Sequence, residues 1–288
     1  MNAELPGRAF KIAPNEKHKT HLWYYIVGII VCISYLLPFY VLINMSLRDI
    51  TDVSSRLFLP DVIKLDNYKS ALAGSDLWRG FRNSLVLALE TVVIEISIGS
   101  IGAYGLARLK NRYSASFRTL NMMVMMIPGT ALLVGTYSLM NNLGLSNSLI
   151  GLALLSAGGG LPGTVFFYTN FVAAIPAALD EAAEIDGASV LRTFVQIIFP
   201  QLKAITVTRI IMIFIGSWND YLMPMYLLSS NEKQTIILVI KQAFSSSNGT
   251  GNLPLAAATC ALGLLPIILL YLLMQKHIIQ SQIDSSIK

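Results

Sequence analysis

Long apolar runs alternate with short polar connections along this chain. Six runs stand out: Leu22–Met45, Asn83–Leu109, Thr119–Asn141, Ser148–Ile175, Leu202–Leu228 and Leu253–Gln275. Each is long enough for a helix of about 20 residues, the length that crosses a hydrocarbon layer roughly 30 Å thick. The runs are continuous rather than alternating, which predicts helices over strands. A helix also satisfies its own backbone hydrogen bonds in lipid. The pattern therefore predicts an all-α integral membrane protein: a six-span domain over 22–275, flanked by polar tails at 1–21 and 276–288.

Composition agrees, with 54% hydrophobic and 13% charged residues against about 25% charged in soluble domains. The net charge of +5 does not point to nucleic acid, because the basic residues lie between apolar runs rather than along one stripe. Their placement reads instead as topology. Arg108, Lys110, Arg112 and Arg118 cluster at the second connection without an acid, the positive-inside signature. That connection is predicted to be cytoplasmic, and with six spans both termini follow it. The segment Ser46–Arg82 then lies outside, its six basic residues offset by five acids. Cys32 and Cys260 each sit inside an apolar run and suggest no disulfide. The first run follows Arg8, Lys11, Lys17 and Lys19; it is too long for a signal peptide and reads as a retained anchor. His18, His21 and His277 lie outside the runs without metal-ligand spacing, and no nucleophile and base arrangement or phosphate-cradling loop is found. The chain is expected not to be an enzyme.

Several runs are interrupted. Pro38, Pro128, Pro224 and Pro266 fall inside four of them, and Gly158, Gly159, Gly160, Pro162 and Gly163 crowd the middle of the fourth. Ordinary kinking and close helix packing would account for these. The alternative is a broken helix in the fourth run lining a watery path, since irregular backbone is tolerated at depth only in such places.

Between the fourth and fifth runs the chain reads Ile175-Pro176-Ala177-Ala178-Leu179-Asp180-Glu181-Ala182-Ala183-Glu184-Ile185-Asp186-Gly187-Ala188-Ser189. Pro176 suits a first helical turn, Asp180 and Glu181 suit a helix N-terminus, and Gly187 suits a stop. A second short helix is predicted from Ser189 to Pro200. This helix, glycine turn, helix element over 176–201 shows apolar surface through Ile185, Leu191 and Phe194. Its acids Asp180, Glu181, Glu184 and Asp186 would be repelled by anionic lipid, so a basic protein groove suits it better than a headgroup layer.

Glu181-Ala182-Ala183, then Gly187, Ile197 and Phe199-Pro200 at their spacing, resembles the EAA loop of bacterial ABC importer permeases. The family usually has Leu where this chain has Phe199. The stretches Pro38 to Ser46-Leu47, Asn83-Ser84-Leu85, Ala103-Tyr104-Gly105-Leu106-Ala107-Arg108, Asp186-Gly187-Ala188-Ser189 and Trp218-Asn219-Asp220-Tyr221 narrow the resemblance. They are similar to the carbohydrate-uptake permeases typified by the second membrane subunit of the maltose transporter. The tail Gln280–Lys288 departs from the glycine-containing tail of many relatives. The resemblance implies a bacterial inner-membrane subunit of an oligosaccharide importer with a cytoplasmic coupling loop. It implies a second homologous permease, two ATP-binding subunits that hold ATP and Mg, and an extracytoplasmic sugar-binding protein. Docking to the ATPase would fall on Glu181, Ala182, Ala183, Asp186, Gly187, Ile197 and Pro200.

Ionisable residues inside the runs are the remaining candidates. Glu90 and Glu95 lie in the second and Arg209 in the fifth. Each costs about 2.5–3.5 kcal/mol at a helix centre, so each should face protein or water. Glu95 is deep, whereas Arg209 lies closer to the cytoplasmic end; they pair only if the arginine reaches outward. Otherwise Glu90 sits at the outer interface, Arg209 snorkels inward, and Glu95 either lines the path or pairs with the other permease. Trp218, Asn219, Asp220 and Tyr221 are further path candidates, since aromatic faces and polar acceptors suit sugar rings, though Trp218 equally suits an interfacial belt or helix packing. Tyr137, Asn141 and Tyr168 are weaker candidates. Two rival readings remain: an ABC permease for peptides, polyamines or sugar phosphates, and a secondary transporter coupled through Glu90 and Glu95.

Overall fold

The computed structural model describes residues 22–109, 111–245 and 252–286. Helix is the only regular structure among them. Helix α1 (Leu22–Ser46) leads through an extended loop to α2 (Asp66–Ala73), and Gly74 separates α2 from the 34-residue α3 (Ser75–Arg108). Helices α4 (Arg112–Met125) and α5 (Leu133–Asn142) follow, then α6 (Leu149–Ala174). A hairpin comes next: α7 (Ala178–Ile185), α8 (Val190–Thr193), a π turn over Phe194–Ile198 and the single turn α9 (Phe199–Gln201). Helix α10 (Lys203–Asn219), the short α11 (Leu222–Leu227), α12 (Ile236–Ser245) and α13 (Leu253–Ser286) complete the chain. Among the described residues, four helices are long and apolar enough to cross a membrane: α1, α3, α6 and the Leu253–Gln275 part of α13. Counting each of two bent pairs as one span brings the number to six.

The bends depart from the predicted runs. The third run is not one helix: α4 and the Gly129–Asn142 segment meet at 85°. Pro128 sits between Met126, which closes α4, and a 3₁₀ turn over Gly129–Leu132. Its ring removes a donor and biases Ile127 away from helical backbone. Of the two readings of the fourth run, the broken helix is not what the structure shows, because α6 is continuous through its glycines and Pro162. Helix packing explains one member of that cluster: a Cβ on Gly160 would lie against the Glu95 carboxylate, 2.6 Å from its Cδ, whereas one on Gly158 or Gly159 would meet nothing within 4 Å. Small residues thus let α6 approach α3 closely. The fifth run stops early, since α10 ends at Asn219 and Asp220 caps α11, its Oδ1 accepting from the Leu222 and Met223 amides at 3.1 and 3.4 Å. The segment Val190–Gln201 meets α10 at 81°. The last helix runs past Gln275 to Ser286, in a stretch without glycine or proline. The flexible stretch expected at 245–251 lies, from residue 246, outside the described residues.

The core is a packed block of α3, α6, α10, α12 and α13, with Tyr168, Ile198, Trp218 and Ile236 almost fully enclosed. Helix α1 packs along α13 and is exposed until its end, where a polar knot closes it. There the buried Arg48 donates to Asn44 Oδ1 (3.1 Å), Asp52 Oδ2 (2.8 Å) and the carbonyl of Ser55 (2.8 Å), and reaches Ser54 and Phe58 as well. Asn67 donates to the carbonyls of Ser46 and Arg48 at 2.9 and 2.8 Å. Nearby, the Thr51 amide and the Lys64 ammonium, 3.0 Å away, hold the Asp49 carboxyl down to about 2. At the same end of α3, Asn83 donates to the carbonyls of Glu232 and Gln234, and Ser84 Oγ accepts the Ile236 amide at 2.9 Å. This fastens α12 to α3.

Candidate functional site

Two constellations emerge, one in the hairpin and one at mid-depth. In the hairpin, Gly187 adopts a φ of +76°, the left-handed conformation that glycine takes without a side-chain penalty. Its amide donates to Glu184 O at 3.0 Å and the Ala188 amide to Ala183 O at 2.9 Å, the double bond of a Schellman stop. Ser189 then caps α8. The turn leaves Ile185 86%, Val190 74% and Leu191 61% exposed, in a hairpin whose Glu181, Ala182, Glu184 and Asp186 are also exposed. Ala183 is buried and Ile197 half-buried, while Pro200 is exposed. Phe194, expected to contribute apolar surface with Ile185 and Leu191, does not. It is enclosed, with its ring centroid 5.2 Å from that of Tyr104 and 5.7 Å from that of Phe199.

The hairpin is tied to the transmembrane block. Tyr104 OH donates to Asp180 Oδ1 at 2.5 Å, and Arg108 forms an ion pair with Asp180 Oδ2 at 2.8 Å. Arg108 Nη1 also donates to the carbonyls of Val172 and Ile175 at 3.2 and 3.0 Å. A cation on the last carbonyls of α6 is favoured by the helix dipole. One arginine therefore joins α3, the end of α6 and α7.

At mid-depth, Glu95 of α3, Thr164 of α6 and Arg209 of α10 converge. Arg209 Nη2 lies 2.6 Å from Glu95 Oε1 and 2.6 Å from Thr164 Oγ1, and its Nε donates to the same hydroxyl at 3.1 Å. Thr164 donates in turn to Glu95 Oε1. The guanidinium also stands over the Phe167 ring, 5.3 Å from its centroid. Of the two dispositions left open, the arginine reaches outward to pair rather than snorkelling. Glu95 spends Oε1 within the chain.

Beside this triad opens a cavity of about 570 Å³, within the roughly 300–1,000 Å³ of small-molecule sites. Glu95, Arg209, Thr91, Ser156, Ser217 and Asp220 line it, and the elbow residues Gly129, Leu132 and Thr136 form one wall. Leu155, Met212, Ile213 and Met223 supply apolar wall between these polar groups, and the irregular backbone at Gly129–Leu132 borders a cavity, where membrane proteins tolerate it. Other path candidates fall elsewhere. Trp218 packs among Phe81 and Phe214 and donates to Gly263 O at 3.3 Å, so it is a packing residue. Asn219 is exposed and donates to Ile215 O, and Tyr221 is half-buried outside the cavity. Tyr168 is enclosed and bonded to Thr206. Glu90 does not line the cavity either. Thr164 and Ser217 were not singled out from sequence; only Thr or Ser facing charged residues at matching depth could have flagged them.

Residues 95–283 match the family of binding-protein-dependent transport system inner membrane components. The chain belongs to this family. The permease is 31% identical over 264 residues to the melibiose/raffinose/stachyose import permease MelC of Bacillus subtilis, covering 91% of this chain and 95% of that one. It is 31% identical to the probable starch degradation products permease AmyC of Thermoanaerobacterium thermosulfurigenes, covering 94% and 99%. Its fold matches a bacterial ABC transporter chain involved in import of the acidic polysaccharide alginate, with a TM-score of 0.78 at 22% identity over 88% of this chain and 95% of that one. The permease family match takes in the triad, the hairpin and every cavity-lining residue but Thr91.

Proposed function

We propose that this permease is one of two membrane subunits of an ATP-driven oligosaccharide importer, and that its 176–201 hairpin docks on a separate ATPase. The observation that carries the docking reading is the Gly187 turn, which presents Ile185, Val190 and Leu191 beside Glu181, Glu184 and Asp186. Apolar side chains ringed by acids suit a groove with an apolar floor and basic walls. The hairpin end is the cytoplasmic end, consistent with the basic residues Arg108, Arg112 and Arg118 there, and both termini share that side. Sugar relatives along nearly the full chain support the cargo class. An extracytoplasmic sugar-binding protein would deliver cargo to the opposite end, and ATP and Mg would be held by the partner ATPase. A gradient-driven mechanism coupled through Glu90 and Glu95 is disfavoured, because Glu95 is ion-paired to Arg209 and Glu90 is not among the residues that line the cavity.

Affinity purification from the native membrane in mild detergent tests this. The expected result is recovery of a second permease and an ATPase, with Ile185→Asp combined with Leu191→Asp releasing the ATPase while the second permease stays bound. A homogeneous homo-oligomer without an ATPase would overturn the reading.

A further inference from the structure

The cavity holds acceptors that the protein does not use. All hydrogen bonds to the Glu95 carboxylate converge on Oε1, which leaves Oε2 without one among the described residues. Asp220 commits Oδ1 to capping α11 and leaves Oδ2 without a hydrogen bond among the described residues. Ser217 is 7% exposed, and its Oγ is enclosed with no partner, a state that a native structure rarely leaves unfilled. All three line the same space. Thr91 donates its proton to Leu87 O at 2.7 Å, so its hydroxyl meets the cavity as an acceptor.

The charges select further. Arg209 is the cation among the lining residues, and Glu95 already neutralises it. Asp220 adds a negative group without a lining counter-charge. A uronate would therefore meet carboxylate repulsion in a low-dielectric setting. A neutral sugar brings hydroxyl donors that match the free oxygens. Among the lining residues there is no aromatic platform, so hydrogen bonding without stacking gives a weak hold, as a passage site requires.

Resting on the importer reading, we propose that this subunit carries its own cargo subsite for uncharged hexose units, held by Glu95 Oε2, Ser217 Oγ and Asp220 Oδ2, with Arg209 kept from acidic sugars by its pairing.

The test uses the whole importer reconstituted in vesicles with Cys32→Ser and Cys260→Ser, and Ser217→Cys as the reporter. Labelling of that thiol by a small neutral methanethiosulfonate is followed with an equimolar mixture of melibiose, raffinose, lactose and trehalose, or with digalacturonate. At sugar concentrations a few times a millimolar Kd, the neutral mixture should slow labelling about fivefold, and digalacturonate should not. Adding Glu95→Gln, which frees the Arg209 charge, should weaken the neutral protection and create protection by digalacturonate. Thr136→Cys at the cavity wall serves as the reporter if Ser217→Cys does not assemble. Equal protection by both probes, protection by digalacturonate alone, or no protection in vesicles that still show ATP-dependent sugar uptake would overturn the subsite while leaving the importer reading intact. Loss of ATP-dependent uptake in the cysteine-free parent would instead count against the importer reading.

Discussion

The Arg108 guanidinium lies 2.8 Å from the Asp180 carboxylate, joining the end of α3 to the first helix of the hairpin. Tyr104 seizes the other oxygen of the same carboxylate. The hairpin is thus linked to α3 through the Asp180 carboxylate as well as through Phe194, packed on Tyr104.

Asp180→Ala should therefore loosen the hairpin without abolishing its apolar face. The pair is partly exposed, so the folding cost is expected to be small, about 1 kcal/mol or less. Sugar uptake per ATP hydrolysed should fall several-fold while the ATPase still copurifies. Parallel assays of uptake and hydrolysis in reconstituted vesicles check this, and unchanged coupling would show that the tether is ornamental.

Gly187→Ala places a Cβ at a φ of +76°, with a strain of about 1–2 kcal/mol. If the turn holds its shape only under that strain, ATPase affinity should drop about tenfold. Titrating purified ATPase onto detergent-solubilised permease dimers measures it.

Thr164→Val keeps shape but removes the hydroxyl that accepts two Arg209 bonds and donates to Glu95. Leaving those buried charges under-satisfied should cost about 1–3 kcal/mol and lower the detergent-solubilised Tm by several degrees. Glu95→Ala should cost more, about 3–5 kcal/mol, because it strands a buried cation. Equal Tm shifts for both variants would contradict the ranking.

Arg48→Ala should unfasten the 49–65 loop, since Asn44 and the carbonyls of Ser55 and Phe58 lose their common donor. Rapid proteolytic cleavage within that loop is expected, with ATPase copurification unchanged. Limited proteolysis from the side opposite the hairpin provides the readout.

Asp49 supplies a pH test in the same loop. Its carboxyl is held down to about 2 against an ordinary 3.8, so its contribution is fully present above pH 4 and is lost as pH falls toward 2. Cleavage of the loop by an acid-active protease should be steady from pH 7 to 4 and rise below that. Lys64→Gln should narrow the protected window.

Helix content, the approximate spans and the family could be read from sequence because apolar runs and the EAA spacing are local patterns. Several stretches that carried the resemblance prove to be joints: Asn83 and Ser84 fasten α12, Tyr104 and Arg108 hold the hairpin, and Asp220 caps α11. The elbow at Pro128 was visible only as a proline, since hydropathy does not distinguish a kink from an 85° turn. The pairing of Glu95 with Arg209 depended on three helices meeting at one depth, and hydropathy carries no rotational phase between helices. Gly160 looked like a helix breaker because its actual role, making room for a carboxylate on another helix, is not a local property.

Helix α3 is continuous for 34 residues, about 50 Å at 1.5 Å per residue, and so longer than the hydrocarbon layer is thick. It carries the α12 fastening at Asn83 and Ser84 in its first third, Glu95 near its middle and the Asp180 clasp at its far end. A rod of that length tilted by about 10° about its centre displaces each tip by roughly 4 Å in opposite directions. Hinged near Glu95, it would act as a see-saw: the same stroke that pulls the hairpin inward would swing the α12 end the other way, with the charged triad at the fulcrum, where displacement is least.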